Sequence, residues 1–135
     1  MVFDVVVLTA YEYQPKAGEY GRAHVVHVPL DDMPGKSPST GKPPSQYEKA
    51  LASEAGRAVA GWVRRGKRVL VTCWQGRNRS GWVTGLALIE LGVPVQKAID
   101  TIREARGEDA LENPHFVDAL REYRPVTQGR ISRAS

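Results

Sequence analysis

Apolar residues fall along this chain in three short runs and four helically spaced sets. Phe3 to Thr9 is almost continuously apolar and β-branched, the pattern of a strand buried on both faces. His24 to Leu30 is a second such run, closed by Pro29 and the pair Asp31-Asp32. Asp31 to Pro44 is rich in Pro, Gly, Ser and Lys and reads as one long loop within the domain, of the kind that tends to carry function. Ser45 with Glu48 makes a capping box, after which Tyr47, Leu51, Ala55, Ala58, Val59 and Trp62 recur at helical spacing up to a stop at Gly66. Arg68 to Thr72 is a short buried strand, Cys73 to Arg79 a turn, and Ser80 to Leu91 a helix ended by Gly92. Pro94 suits the first turn of a further helix carrying Ala98, Ile99 and Ile102, and Asn113-Pro114 opens a last one with Phe116, Val117, Leu120 and Tyr123 on its inner face. From Pro125 the sequence turns polar and aperiodic, so residues 126–135 are expected to form a frayed tail behind one domain spanning 1–125. Strands separated by helices imply an α/β domain, a central and mostly parallel sheet flanked by helices.

With 135 residues, 41% of them hydrophobic, and no apolar run of membrane-span length, the chain fits a single soluble domain. One cysteine cannot close an internal disulfide, and with three scattered histidines it has no zinc-site spacing. His24, His27 and His115 read as surface or packing residues. The first ten residues resemble a strand more than a leader, so the expected compartment is the reducing cytoplasm. Net charge is +4, unevenly spread. Arg57, Arg64, Arg65, Lys67, Arg68, Arg77 and Arg79 lie between Glu54 and Glu90 with no acid among them, which leaves the rest of the chain at −3. A local positive potential draws anionic ligands, so phosphate-bearing molecules are the first partners to consider. Nucleic acid stays open as a partner but is not favoured, because Trp62 and Trp82 fall in helices predicted to pack in the core.

The segment Cys73-Trp74-Gln75-Gly76-Arg77-Asn78-Arg79-Ser80 puts a thiol at a strand end, an arginine six positions on, and a helix start straight afterwards. Backbone N–H groups curl inward in such a turn, the helix N-terminus adds partial positive charge, and the planar guanidinium of Arg79 can take two oxygens of one phosphoryl group. Gly76 permits the bend. Lysine would not replace Arg79, because a point charge lacks the paired parallel donors. A free thiol of pKa ~8.5 is only about 3% ionised at neutral pH, whereas a helix N-terminus with nearby arginines can make the thiolate dominant. Cys73 is therefore the candidate nucleophile, with Trp74, Gln75, Gly76, Arg77, Asn78 and Arg79 as candidate phosphate-binding residues. Trp74 is placed to wall the pocket, and the Asn78 amide to tie the loop to neighbouring backbone.

This Cys-x5-Arg-Ser signature resembles that of the cysteine-dependent protein tyrosine phosphatases, specifically the small dual-specificity group. The resemblance runs from about residue 3 to 125. Val5 to Thr9 is similar to the family's early strand, Val28-Pro29-Leu30-Asp31-Asp32 to its acid loop, and Asn113-Pro114-His115-Phe116 to its closing helix. The paired aspartates are most similar to those of the regenerating-liver type. The resemblance implies a phosphatase fold and a metal-independent, cofactor-free hydrolysis of phosphate monoesters on phosphoproteins, through a cysteinyl-phosphate. Asp32 would be the general acid, with Asp31 the competing assignment, and the Ser80 hydroxyl would donate to the leaving sulfur. The Pro34 to Pro44 segment would close over bound substrate. Phosphate and other tetrahedral oxyanions should occupy the same site.

Two departures keep other readings in view. Thr72 stands where most of the family has histidine, which leaves a non-catalytic phosphoprotein-binding module as an alternative. Gly76-Arg77-Asn78-Arg79-Ser80-Gly81 also resembles the loop of RNA 5′-triphosphatases, and the basic Arg77 that of phosphoinositide phosphatases. Against the RNA reading, those enzymes do not depend on an aspartate such as Asp32.

Overall fold

A computed structural model describes residues 2–10, 20–30, 43–72, 79–107 and 110–125. Three strands, β1 (Val5–Ala10), β2 (His24–Leu30) and β3 (Val69–Thr72), form a sheet of order β2-β1-β3 in which both pairs are parallel. The described residues also form four helices: α1 (Gln46–Arg64), α2 (Arg79–Glu90), α3 (Val95–Arg106) and α4 (Pro114–Glu122). The α/β class is as the alternation of strand and helix predicts. The expected tail, 126–135, lies outside the described residues, and so does most of the predicted loop between Asp31 and Pro44.

β1 is the central strand, and Val5 to Thr9 are all buried. β2 departs from the expectation of a doubly buried run: His24, Val25 and His27 are exposed, and burial sets in only at Val28 and Leu30. Its place at the margin of the described sheet explains the open half. Pairing slips between β1 and β2, with Leu8 opposite His27 but Ala10 opposite Leu30. Two steps on one strand thus match three on the other. Pro29 lies in that longer stretch, and since it has no N–H to give a ladder, an irregularity is where it fits.

Helix α1 has the predicted capping box, with Glu48 N donating to Ser45 Oγ at 3.1 Å and Ser45 N to Glu48 Oε1 at 3.2 Å. Its buried stripe is Ala52, Ala55, Gly56, Val59 and Ala60. Tyr47 and Ala58, expected on that stripe, are exposed instead, and small residues occupy it because α1 lies close against α2. A Cβ at Gly56 would stand 2.6 Å from Leu86 Cβ. Pro94 precedes the first turn of α3 as its N-cap rather than lying within it, while Ala98, Ile99 and Ile102 are buried as predicted. Helix α4 is capped by the Asn113 side chain, which accepts from His115 N at 2.9 Å. Trp82 is core, stacked on Phe116 with centroids 4.9 Å apart, and Trp62 packs partly buried against the same core. Among the described residues no helix is long and apolar enough to cross a membrane.

Candidate active site

Parallel strands bring their carboxyl ends to one edge of the sheet, where α/β folds open their ligand crevices. Here Leu30 ends β2 and Thr72 ends β3, on either side of β1. Two strand spacings separate them, roughly 10 Å. Leu30 leads into Asp31-Asp32, and Thr72 into Cys73, so the stems of the predicted acid loop and nucleophile loop stand side by side. Asp31, Asp32 and Cys73 to Asn78 themselves lie outside the described residues.

Arg79 is the first residue of α2 and is buried, and its Nη1 donates to the Leu30 carbonyl at 3.4 Å. A guanidinium at this depth needs acceptors, since an uncompensated buried charge is costly. The contact with Leu30 holds it at the root of the acid loop. Ser80, next along the helix, is fully buried. Its Oγ accepts from Arg106 Nη1 at 2.6 Å, and Arg106 Nη2 donates to the Val71 carbonyl at 3.2 Å. Thr9, also fully buried, donates its hydroxyl to the Thr72 carbonyl at 3.0 Å.

Thr9 and Arg106 are the two participants that the sequence reading missed. Thr9 had a faint signal, a lone hydroxyl closing an apolar strand. Arg106 had none, for a basic residue in the last turn of a helix ordinarily just offsets the helix dipole. The α3–α4 connection reinforces this edge. Arg103 donates Nε to the Ala110 carbonyl at 3.1 Å and Nη2 to that of Leu111 at 3.3 Å. Leu111 has φ +59°, a left-handed conformation costing about 1–3 kcal/mol for a residue of this kind. Its side chain packs over Gly81, where an added Cβ would meet Leu111 Cδ2 at 3.2 Å.

The basic block divides in space. Arg79 is at the carboxyl edge of the sheet, but Arg64, Arg65, Lys67 and Arg68 precede β3 and surround the opposite edge. Arg64 donates to the Glu90 carbonyl at 2.5 Å, and Arg68 Nε pairs with Asp4 at 3.6 Å. Those four cations are not a funnel into the site.

Solved structures with this architecture include dual-specificity and tyrosine phosphatases. Tk-PTP in its active form is 27% identical, with 89% of this chain covering 77% of that one at a TM-score of 0.67. Human DUSP28 is 24% identical, with 95% covering 81% at 0.70. OH1 from the Orf virus, a tyrosine phosphatase with triple substrate specificity, is 22% identical, with 87% covering 68% at 0.59. No protein-family model and no curated protein matches the sequence. The fold is that of the small dual-specificity phosphatases of the protein tyrosine phosphatase superfamily.

Proposed function

We propose that this chain is a cysteine-dependent phosphatase that hydrolyses phosphate monoesters on phosphoproteins. The observation that carries the reading is the buried guanidinium of Arg79, fixed on the Leu30 carbonyl between the stems of the two loops. A planar cation at that point can share a phosphoryl group with inward-facing backbone amides while the thiolate of Cys73 attacks in line. The P–O bond to the substrate breaks, and Asp32 protonates the departing oxygen, leaving a cysteinyl-phosphate. Water then attacks phosphorus and gives its proton to the Asp32 carboxylate. The P–S bond breaks with its electron pair returning to sulfur, and the Ser80 hydroxyl donates a hydrogen bond to that thiolate.

A phosphoprotein suits the site better than a polynucleotide. Four cations of the basic block lie at the far edge of the sheet, and Trp62 and Trp82 are committed to the core, so neither supplies a track for RNA. The test is phosphate release from a phosphopeptide, a phosphoinositide and a 5′-triphosphorylated RNA, with Cys73→Ser as control. Turnover of the peptide, abolished by the substitution, is the expected result. Preference for either other substrate would replace the substrate assignment, and tight phosphopeptide binding without release would make the chain a binding module. Asp32→Ala should slow an alkyl phosphate by about 10²–10⁴ and an aryl phosphate far less, because a good leaving group needs little protonation. Asp31→Ala is the companion control.

A further inference from the structure

We propose that Arg106 is a positioning residue for breakdown of the cysteinyl-phosphate, acting through the Ser80 hydroxyl; the inference rests on the phosphatase reading above. A guanidinium carries donors only, so at 2.6 Å from Arg106 Nη1 the Ser80 oxygen must be the acceptor. The hydroxyl's own hydrogen is thereby turned away from Arg106. A bond from a cation is stronger than one between neutral groups, and it polarises the O–H it reaches, making that hydroxyl the better donor. This is the quality needed where a P–S bond breaks and charge collects on sulfur.

The second nitrogen gives the arrangement its geometry. The carbonyls of Arg68 and Thr72 both turn toward β1, the first accepting from Val5 N at 3.2 Å and the second from Thr9 at 3.0 Å. Residues of a strand alternate in direction, so the carbonyl of Val71 turns to the opposite side. Arg106 Nη2 meets it there at 3.2 Å. One rigid fork thus spans from the strand before the Cys73 to Asn78 segment to the helix after it, and fixes the Ser80 oxygen relative to the backbone that delivers the nucleophile. Lysine could satisfy one of these acceptors but not both in that plane.

Rapid-mixing kinetics on an aryl phosphate, with acid trapping of the phosphoenzyme, test the assignment. In Arg106→Ala the burst of aryl alcohol should persist while steady-state kcat falls about tenfold, the loss expected of one charge-assisted bond. Trapped phosphoenzyme should rise, and vanadate affinity and kcat/KM should change by less than about threefold. Ser80→Ala should behave alike, and the double variant should be no worse than either single one, since both remove the same interaction. Arg106→Lys should recover little, and it serves as the reading variant should Arg106→Ala not fold. Additive losses, or parallel falls in kcat/KM and vanadate affinity without a burst, would make Arg106 a general strut and overturn the proposal. A wild-type protein that traps no phosphoenzyme and releases no phosphate would instead bring down the phosphatase reading, and this inference with it.

Discussion

The two edges of the described sheet are made by the same strands, yet they handle polar groups in opposite ways. At the amino edge Asp4 and Arg68 meet in the open. The Asp4 carboxylate accepts from Arg68 N at 2.8 Å and pairs with its Nε at 3.6 Å, the Arg68 side chain being well exposed and that of Asp4 partly so. At the carboxyl edge Thr9, Arg79 and Ser80 are buried, and each is tied to a carbonyl or guanidinium on another element. Water does the solvating at one edge, and fixed protein dipoles do it at the other. Only the second arrangement stays in place while charge moves, and this, rather than the local density of cations, is what the proposed chemistry asks of a site.

The sharpest way to break the contrast is to substitute one arginine at each edge. Arg79→Lys should lower kcat by about 10³, because the paired donors to the transferring group are lost from a water-poor site. Arg68→Lys should leave kcat within about twofold, as an exposed pair far from the reacting atoms contributes little. Comparable losses in both would refute the assignment of function to the carboxyl edge. Next in size is Thr9→Val, nearly isosteric, which strips the donor from the Thr72 carbonyl. It should cost about 1 kcal/mol in urea-monitored stability and slow turnover as well.

A half-buried polar pair lies away from the carboxyl edge, and it sharpens the comparison. The Tyr123 hydroxyl donates to the buried Glu90 carboxylate at the end of α2, and burial followed by this bond pushes the Tyr123 phenol up to about 12. The folded value lies above the ordinary 10.0, so the pair's contribution is complete below pH 10 and is lost as pH rises toward 12. After solvent screening of this partly open phenol, about 1 kcal/mol should disappear across that window. Tyr123→Phe should flatten it in alkaline urea titrations. The smallest effect belongs to Asp4, whose carboxyl is held below its usual 3.8 chiefly by the Arg68 backbone N–H. Its contribution is present above that value and fades as pH falls through the lowered one, so wild type and Asp4→Asn should differ slightly at neutral pH and converge in acid.

Most of the architecture was legible because its signals are local. Capping at Ser45 and Asn113 and the 3.6-residue stripes need only a few neighbours to be read. The Arg79-Ser80 pair was legible for the same reason, within one strand-turn-helix. What failed depended on where a local pattern came to lie. His24 to Leu30 is an apolar run whose first half stays exposed at the sheet margin, and Tyr47 and Ala58 miss the interface that small residues fill. Arg68 and Arg79 are near in sequence, but β3 lies between them and carries the chain about 13 Å from one edge to the other. Thr9 and Arg106 reach the site from 63 and 35 residues away in sequence, and no periodicity announces such contacts.

That distance along the chain sets an order of events on the ribosome. The helix that begins with Arg79 and Ser80 is made 26 residues before the arginine that grips it. At typical synthesis rates this is a delay of about 1–5 s, during which the nascent segment holds its thiol without the fork that braces it. The proposed reactive centre is therefore completed only after the third helix has cleared the exit tunnel.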